Sequence, residues 1–228
     1  NETIKLIMRV DVIANDVFLN PTYEEGGLGI YSEYNTIRDN VISGATGDYS
    51  GVSLSGNSNI FENNSIRDGS SAGLTIYGEN NTITKNSFIN NAYAGIEVYS
   101  DGFNPENNRI YLNTVTGNGA PATTTGTTPP TTISWVSPET IPYTYNGTSY
   151  SGVMGNYWGS NYAGADAGGD GIGDTPFAIP DSLGNDTAPL MAPFGNYFGG
   201  GTLSTITVSP GTADLTVGGT QQFTGTGK

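Results

Sequence analysis

Gly51-Val52-Ser53-Leu54, Gly73-Leu74-Thr75-Ile76 and Gly95-Ile96-Glu97-Val98 repeat one pattern at intervals of 22 residues, and Gly29-Ile30-Tyr31-Ser32 stands the same interval upstream. A fixed period near 20 residues marks a stacked, quasi-one-dimensional fold and outweighs local propensity. Between these steps runs a second pattern: apolar, two residues, Asn, one residue, apolar. It reads Ile37-Asn40-Ile42, Phe61-Asn64-Ile66, Ile83-Asn86-Phe88 and Ile110-Asn113-Val115, with an Asp version at Ile13-Asp16-Phe18.

Within each copy apolar and polar residues alternate, as a strand with one buried face requires. Ile30, Val52, Leu74 and Ile96 are expected to form one inward column, and Ser32, Leu54, Ile76 and Val98 the next. Tyr31, Ser53, Thr75 and Glu97 then face solvent. A turn this short holds strands of about five residues and no helix, and copies pair above and below roughly 4.8 Å apart. The fold class is all-β: a parallel β-helix of about 22 residues per rung. In that frame Asn40, Asn64, Asn86 and Asn113 stack as a structural ladder, each amide donating to the next, and supply the left-handed backbone of a sharp corner.

Composition narrows the partners. The chain has 228 residues, with 7 basic and 21 acidic side chains and a net charge of -14. Nucleic acid and anionic membrane both demand basic patches, so neither is expected. No apolar run reaches the roughly 18 residues of a membrane span. There is no Cys and no His, which removes a disulfide framework and the commonest general base and metal ligand. The chain opens at Asn1 rather than Met, and is expected to be an exported product that has lost a signal peptide.

The chain divides into rungs over 1–116, a Thr/Pro-rich excursion and aromatic return over 117–150, a final coil and Asp/Gly-rich cap over 151–199, and a tail over 200–228. Tyr157 and Trp158 suit a cap, since an uncovered β-helix end exposes unpaired backbone.

The Ile-x-x-Asn-x-Ile rungs and the closing run Gly155-Asn156-Tyr157-Trp158-Gly159, Asp170-Gly171-Ile172-Gly173-Asp174-Thr175-Pro176-Phe177 and Ala188-Pro189-Leu190-Met191 resemble NosD-type right-handed β-helix proteins over roughly 13–194. Such repeats, also called carbohydrate-binding and sugar-hydrolysis repeats, abound in surface proteins of methanogenic archaea. Ile206-Thr207-Val208-Ser209-Pro210 and Leu215 to Phe223 resemble the opening strands of a bacterial Ig-like domain, too few to close its sandwich.

Asp166, Asp170 and Asp174 recur every four residues around glycines, hard oxygen donors that suit Ca²⁺. The same spacing also suits an Asp-Gly turn held by its own side chains. Gly168 and Phe177 stand where a calcium loop would place further acids. Asn1, Asn63, Asn80, Asn146 and Asn185 open N-glycosylation sequons. Trp135, Tyr143, Tyr145 and Trp158 are candidates for stacking on sugars or for an interface.

Catalysis is not expected. Arg38, Arg67 and Arg109 fall at different phases of the rung, as do Asp39, Asp48, Asp68 and Asp101, and the negative chain would repel an acidic polymer. Copper delivery, implied by the family's name, lacks His and Cys and leaves only the scattered Met8, Met154 and Met191. The expected role is a self-assembling subunit of an extracellular sheath, surface layer or filament. The alternatives are a carbohydrate-binding or adhesion module and, behind it, a polysaccharide lyase.

Overall fold

The computed structural model describes residues 4–6, 12–19, 27–126, 130, 132–198, 206–209 and 224–227. Three parallel sheets wind around one core. The first stacks Ile4–Leu6, Leu28–Ile30, Val52–Leu54, Leu74–Ile76, Ile96–Tyr99 and Ala122–Thr125. The second stacks Val12–Ala14, Thr36–Arg38, Ile60–Glu62, Thr82–Thr84 and Arg109–Tyr111. The third stacks Val17–Leu19, Val41–Ser43, Ser65–Arg67, Ser87–Ile89 and Thr114–Thr116. This is a parallel β-helix, as the repeat predicts. Its strands are three or four residues rather than five, because each turn must also make three corners.

The register corrects the expected columns. Leu28 pairs with Val52 and Ile30 with Leu54, so the first-sheet columns are Leu28, Val52, Leu74, Ile96 and Ile30, Leu54, Ile76, Val98, all fully buried. Ser32 lies beyond the strand. A two-residue shift leaves the alternation unchanged, so the Gly29 copy matches equally well by pattern. Packing selects the register that puts an aliphatic side chain in the inward strand column, each such burial contributing about 1.5–3 kcal/mol, while Ser32 is buried past the strand end, where its Oγ accepts from Asn35 Nδ2. Ile4 to Ala122 takes five turns, so the repeat averages about 24 residues rather than 22. The segment after 116 is not an excursion throughout, since Ala122–Thr125 adds a sixth strand to the first sheet.

The corner between the second and third sheets is built, from the second turn on, from a left-handed residue followed by a buried Asn. Asp39, Asn63, Lys85 and Leu112 have φ between 53° and 59°, and Asn40, Asn64, Asn86 and Asn113 follow them. The ladder asparagines are therefore not themselves the left-handed residues. Asn40 donates both its backbone N–H (3.0 Å) and its Nδ2 (2.9 Å) to Asn64 Oδ1. Asn64 does the same to Asn86, Asn86 to Asn113, and Asn113 to Asn156. Two further ladders, not expected from sequence, run through Asn35, Asn59, Asn81 and Asn108 and through Asn91 and Asn118. Along the main ladder each inward amide is thereby satisfied, as low-dielectric burial demands, whereas in the second ladder the buried Asn81 Nδ2 finds no partner among the described residues.

After the last full turn the chain closes the end of the core. Ser134 and Tyr157 bridge in parallel to Arg109 and Thr114. The Trp135 and Trp158 rings lie 5.6 Å apart, both buried, and the Trp135 indole donates to Leu183 O. An antiparallel hairpin, Ile141–Tyr145 with Thr148–Gly152, packs in a second apolar cluster with Met154, Leu190 and Tyr197. The chain falls into two compact units, Asn1–Tyr197 and Phe198–Lys228. In the second, Ile206–Ser209 pairs antiparallel with Thr224–Gly227; the rest of the Ig-like reading, Pro210 to Phe223, lies outside the described residues.

Candidate functional site

Strands of the first sheet put one residue per turn on the outer face: Ser53, Thr75 and Glu97 are direct neighbours. They do not all face open solvent, as alternation alone would have it. Ser53 and Thr75 are buried, because they floor a cleft of about 570 Å³. Its walls are the segments entering and leaving the strands. Tyr49, Ser71 and Tyr93 stand two residues before Gly51, Gly73 and Gly95 and form one wall. Tyr77, just after its strand, and Tyr99, the last residue of the next, form the other with Phe103.

The two walls differ in character. Tyr77 packs its ring 5.0 Å from Tyr99 and 4.9 Å from Phe103, a fixed aromatic cluster. Tyr49, Tyr93 and Phe103 remain 48%, 47% and 51% exposed, so each offers a ring face to a ligand. Burial, followed by the nearby Glu97 carboxylate, pushes the Tyr77 phenol up to about 12 and keeps it a hydrogen-bond donor. On the floor Glu97 is held at both oxygens, by Thr75 Oγ1 (2.8 Å) and Thr125 Oγ1 (2.6 Å). Ser50 Oγ lies 3.3 Å from Ser53 Oγ. The corner loop beside Tyr49 is knitted to the next turn by Ser70 Oγ donating to Gly47 O and Ser71 Oγ to Asp48 O. No Lys or Arg lines the cleft.

None of the aromatics singled out from sequence belongs to this cleft. Trp135 and Trp158 are 1% and 0% exposed, and their job is to close the core. Tyr143 is buried, its phenol pushed up to about 12 by burial with Asp170 and Asp166 nearby, and Tyr145 stacks on Tyr197 at 5.0 Å. Trp135, Tyr143 and Trp158 are thus buried in the cap, and Tyr145 is half-buried with one ring face against Tyr197. The accessible tyrosines do carry a sequence signal, a column two residues before the repeat glycine and another after the second aliphatic. That signal is legible only once the register is known.

The Asp loop holds itself together. Asp166 accepts the N–H groups of Asp170 (3.1 Å) and Gly171 (2.9 Å), Asp170 that of Ile172 (2.9 Å), and Asp174 that of Ala167 (2.8 Å). Among the described residues no three His, Cys, Asp or Glu side chains converge as a metal site. Asn63, Asn80, Asn146 and Asn185 are exposed, and Asn1 lies outside the described residues. At Asn63 and Asn80 the sequon coincides with a corner: a left-handed Asn, a ladder Asn, then the Ser or Thr that opens a strand.

A carboxylate that sequence reasoning missed ends the main ladder. Asp186 is fully buried and accepts from Asn156 N (2.7 Å), Trp158 Nε1 (2.8 Å) and Ala188 N (3.0 Å). Burial nevertheless outweighs these donors and pushes its carboxyl up to about 6. It lies among backbone and cap rings, remote in function from the cleft.

Residues 8–164 match the family described as periplasmic copper-binding protein (NosD). A search of the curated proteins returns no match. The donor set does not fit copper: there is no His or Cys, and Met154 is fully buried within the cap.

Proposed function

This chain belongs to the NosD family, and we propose that it works as a non-catalytic, saccharide-binding β-helix of the periplasm or cell surface. One observation carries this reading: a cleft walled by exposed tyrosines and floored by hydroxyls and a carboxylate, on a sheet of a solenoid whose turns are tied together at their corners by asparagine ladders. Rings that stack on a sugar's apolar face while side-chain oxygens meet its hydroxyls make a concave, pre-formed polyol site. Glu97 is engaged at both oxygens, and no His, Lys or Arg stands in the cleft to serve as a base; both support binding without bond cleavage. The test is a mixed glycan array probed with the full chain and with Tyr93→Ala, alongside an assay for new reducing ends. Binding that depends on Tyr93 with no new ends supports the reading; release of new ends overturns its non-catalytic part.

A second reading, a subunit of a sheath, surface layer or filament, is favoured by the first turn. Among the described residues, Ile4–Leu6, Val12–Ala14 and Val17–Leu19 each pair on one side only, and such edges template further strands. Electron microscopy of the purified chain separates the two: ordered polymers support the assembly role, and a dispersed monomer sinks it.

A further inference from the structure

Three columns of the cleft repeat with the turns of the solenoid, and that periodicity says more than that a sugar is held. On one wall Tyr49 and Tyr93 are two turns apart with Ser71 between them; on the other Tyr77 and Tyr99 sit on adjacent turns. Between the walls each turn supplies one polar floor residue. Neighbouring parallel strands are roughly 4.8 Å apart, a step comparable to one sugar unit in an extended chain. We propose that the cleft binds an uncharged, extended oligosaccharide lying along the stacking axis, at least three units long. The proposal rests on the saccharide-binding reading and adds the charge, length and direction of the ligand.

The charge follows from what lines the cleft. Asp48 and Glu97 are its ionisable acids and no cation balances them, on a chain whose net charge is -14. A polyuronate or sulfated glycan would bring like charges against a half-buried carboxylate with no cation beside it, an arrangement that disfavours binding. A neutral polyol instead offers hydroxyl donors to Glu97, whose position two threonines already fix. The floor also speaks against a proline-rich peptide, the other ligand suited to tyrosine grooves: such a peptide presents carbonyl oxygens, and a carboxylate floor repels them.

The length follows from the rings. Tyr49 and Tyr93 stack on units separated by one intervening unit, so a disaccharide reaches only one of them. A hexasaccharide spans both and also meets Tyr77 and Tyr99.

Isothermal titration of the full chain with cellohexaose, mannohexaose and N-acetylchitohexaose, with the disaccharide of each, with hexagalacturonate and with a proline-rich decapeptide tests this. The expected result is binding of at least one neutral hexamer, at least tenfold tighter than its disaccharide and insensitive to salt, with no binding of hexagalacturonate. Tyr93→Ala and Tyr49→Ala, both at exposed positions, are expected to weaken the hexamer at least tenfold with unchanged melting temperature. Preference for hexagalacturonate, or equal affinity for disaccharide and hexamer, overturns this inference and leaves the saccharide reading standing. Binding of the peptide alone, or of no ligand, overturns both.

Discussion

The backbone N–H of Asn156 donates to Asp186 Oδ2 at 2.7 Å, and so the asparagine ladder that begins at Asn40 ends on a buried carboxylate. Along the ladder each amide oxygen accepts from the turn before it, and the last turn needs an acceptor that no further turn supplies. Asp186 is that acceptor, at the cost of a carboxyl in a low-dielectric site.

The cost has a pH signature. The folded-state value is raised from the usual 3.8 to about 6, so between those values the native chain holds a proton that the unfolded chain has released. Stability from this group is therefore fully present below about pH 4 and is lost as pH rises through about 6, by about 3 kcal/mol for a two-unit shift. Urea denaturation of the wild type and Asp186→Asn from pH 4 to 8 checks it. The gap between the two proteins is expected to change over that window, because the variant has no carboxyl there; a constant gap would refute the assignment.

Interior ladder positions should be costly to lose. Asn86 accepts from Asn64 N and Nδ2 and donates to Phe61 O, Thr84 O and Asn113 Oδ1. Asn86→Ala orphans several buried groups at about 1–3 kcal/mol each, so a loss of about 3 kcal/mol or more is expected in chemical denaturation.

Corner residues give the opposite sign. Lys85 is exposed with φ 58°, a left-handed conformation held by a residue with no preference for it. Lys85→Gly relieves about 1 kcal/mol, and its denaturation midpoint is expected to rise rather than fall.

The sixth strand of the first sheet is guarded at its open edge. Asp181 accepts from Thr123 Oγ1 (2.5 Å) and Thr124 N (3.3 Å). Asp181→Ala frees that edge, and concentration-dependent association is expected in light scattering where the wild type shows less.

Calcium can be tested apart from binding. Because the carboxylates of Asp166, Asp170 and Asp174 already hold amides of their own loop, the melting temperature is expected to be the same in chelator and in excess Ca²⁺. A rise with Ca²⁺ would instead make the loop a metal site.

Repetition made the fold legible, because a β-helix needs the same inward aliphatic and the same corner Asn on each turn, and Ile37, Phe61, Ile83 and Ile110 announce that directly. The amino-acid sequence by itself determined the parallel solenoid, one ladder of asparagines and the aromatic closure of its end. Only the tertiary structure decided that Leu28, not Ile30, stands beside Val52, since a two-residue slip keeps every side chain on its face. It alone brought Tyr49, Tyr77, Tyr93 and Tyr99 around one cleft, and brought Asp186 to Asn156 from 30 residues away. These are lateral contacts between turns or across the cap, and local alternation does not encode them.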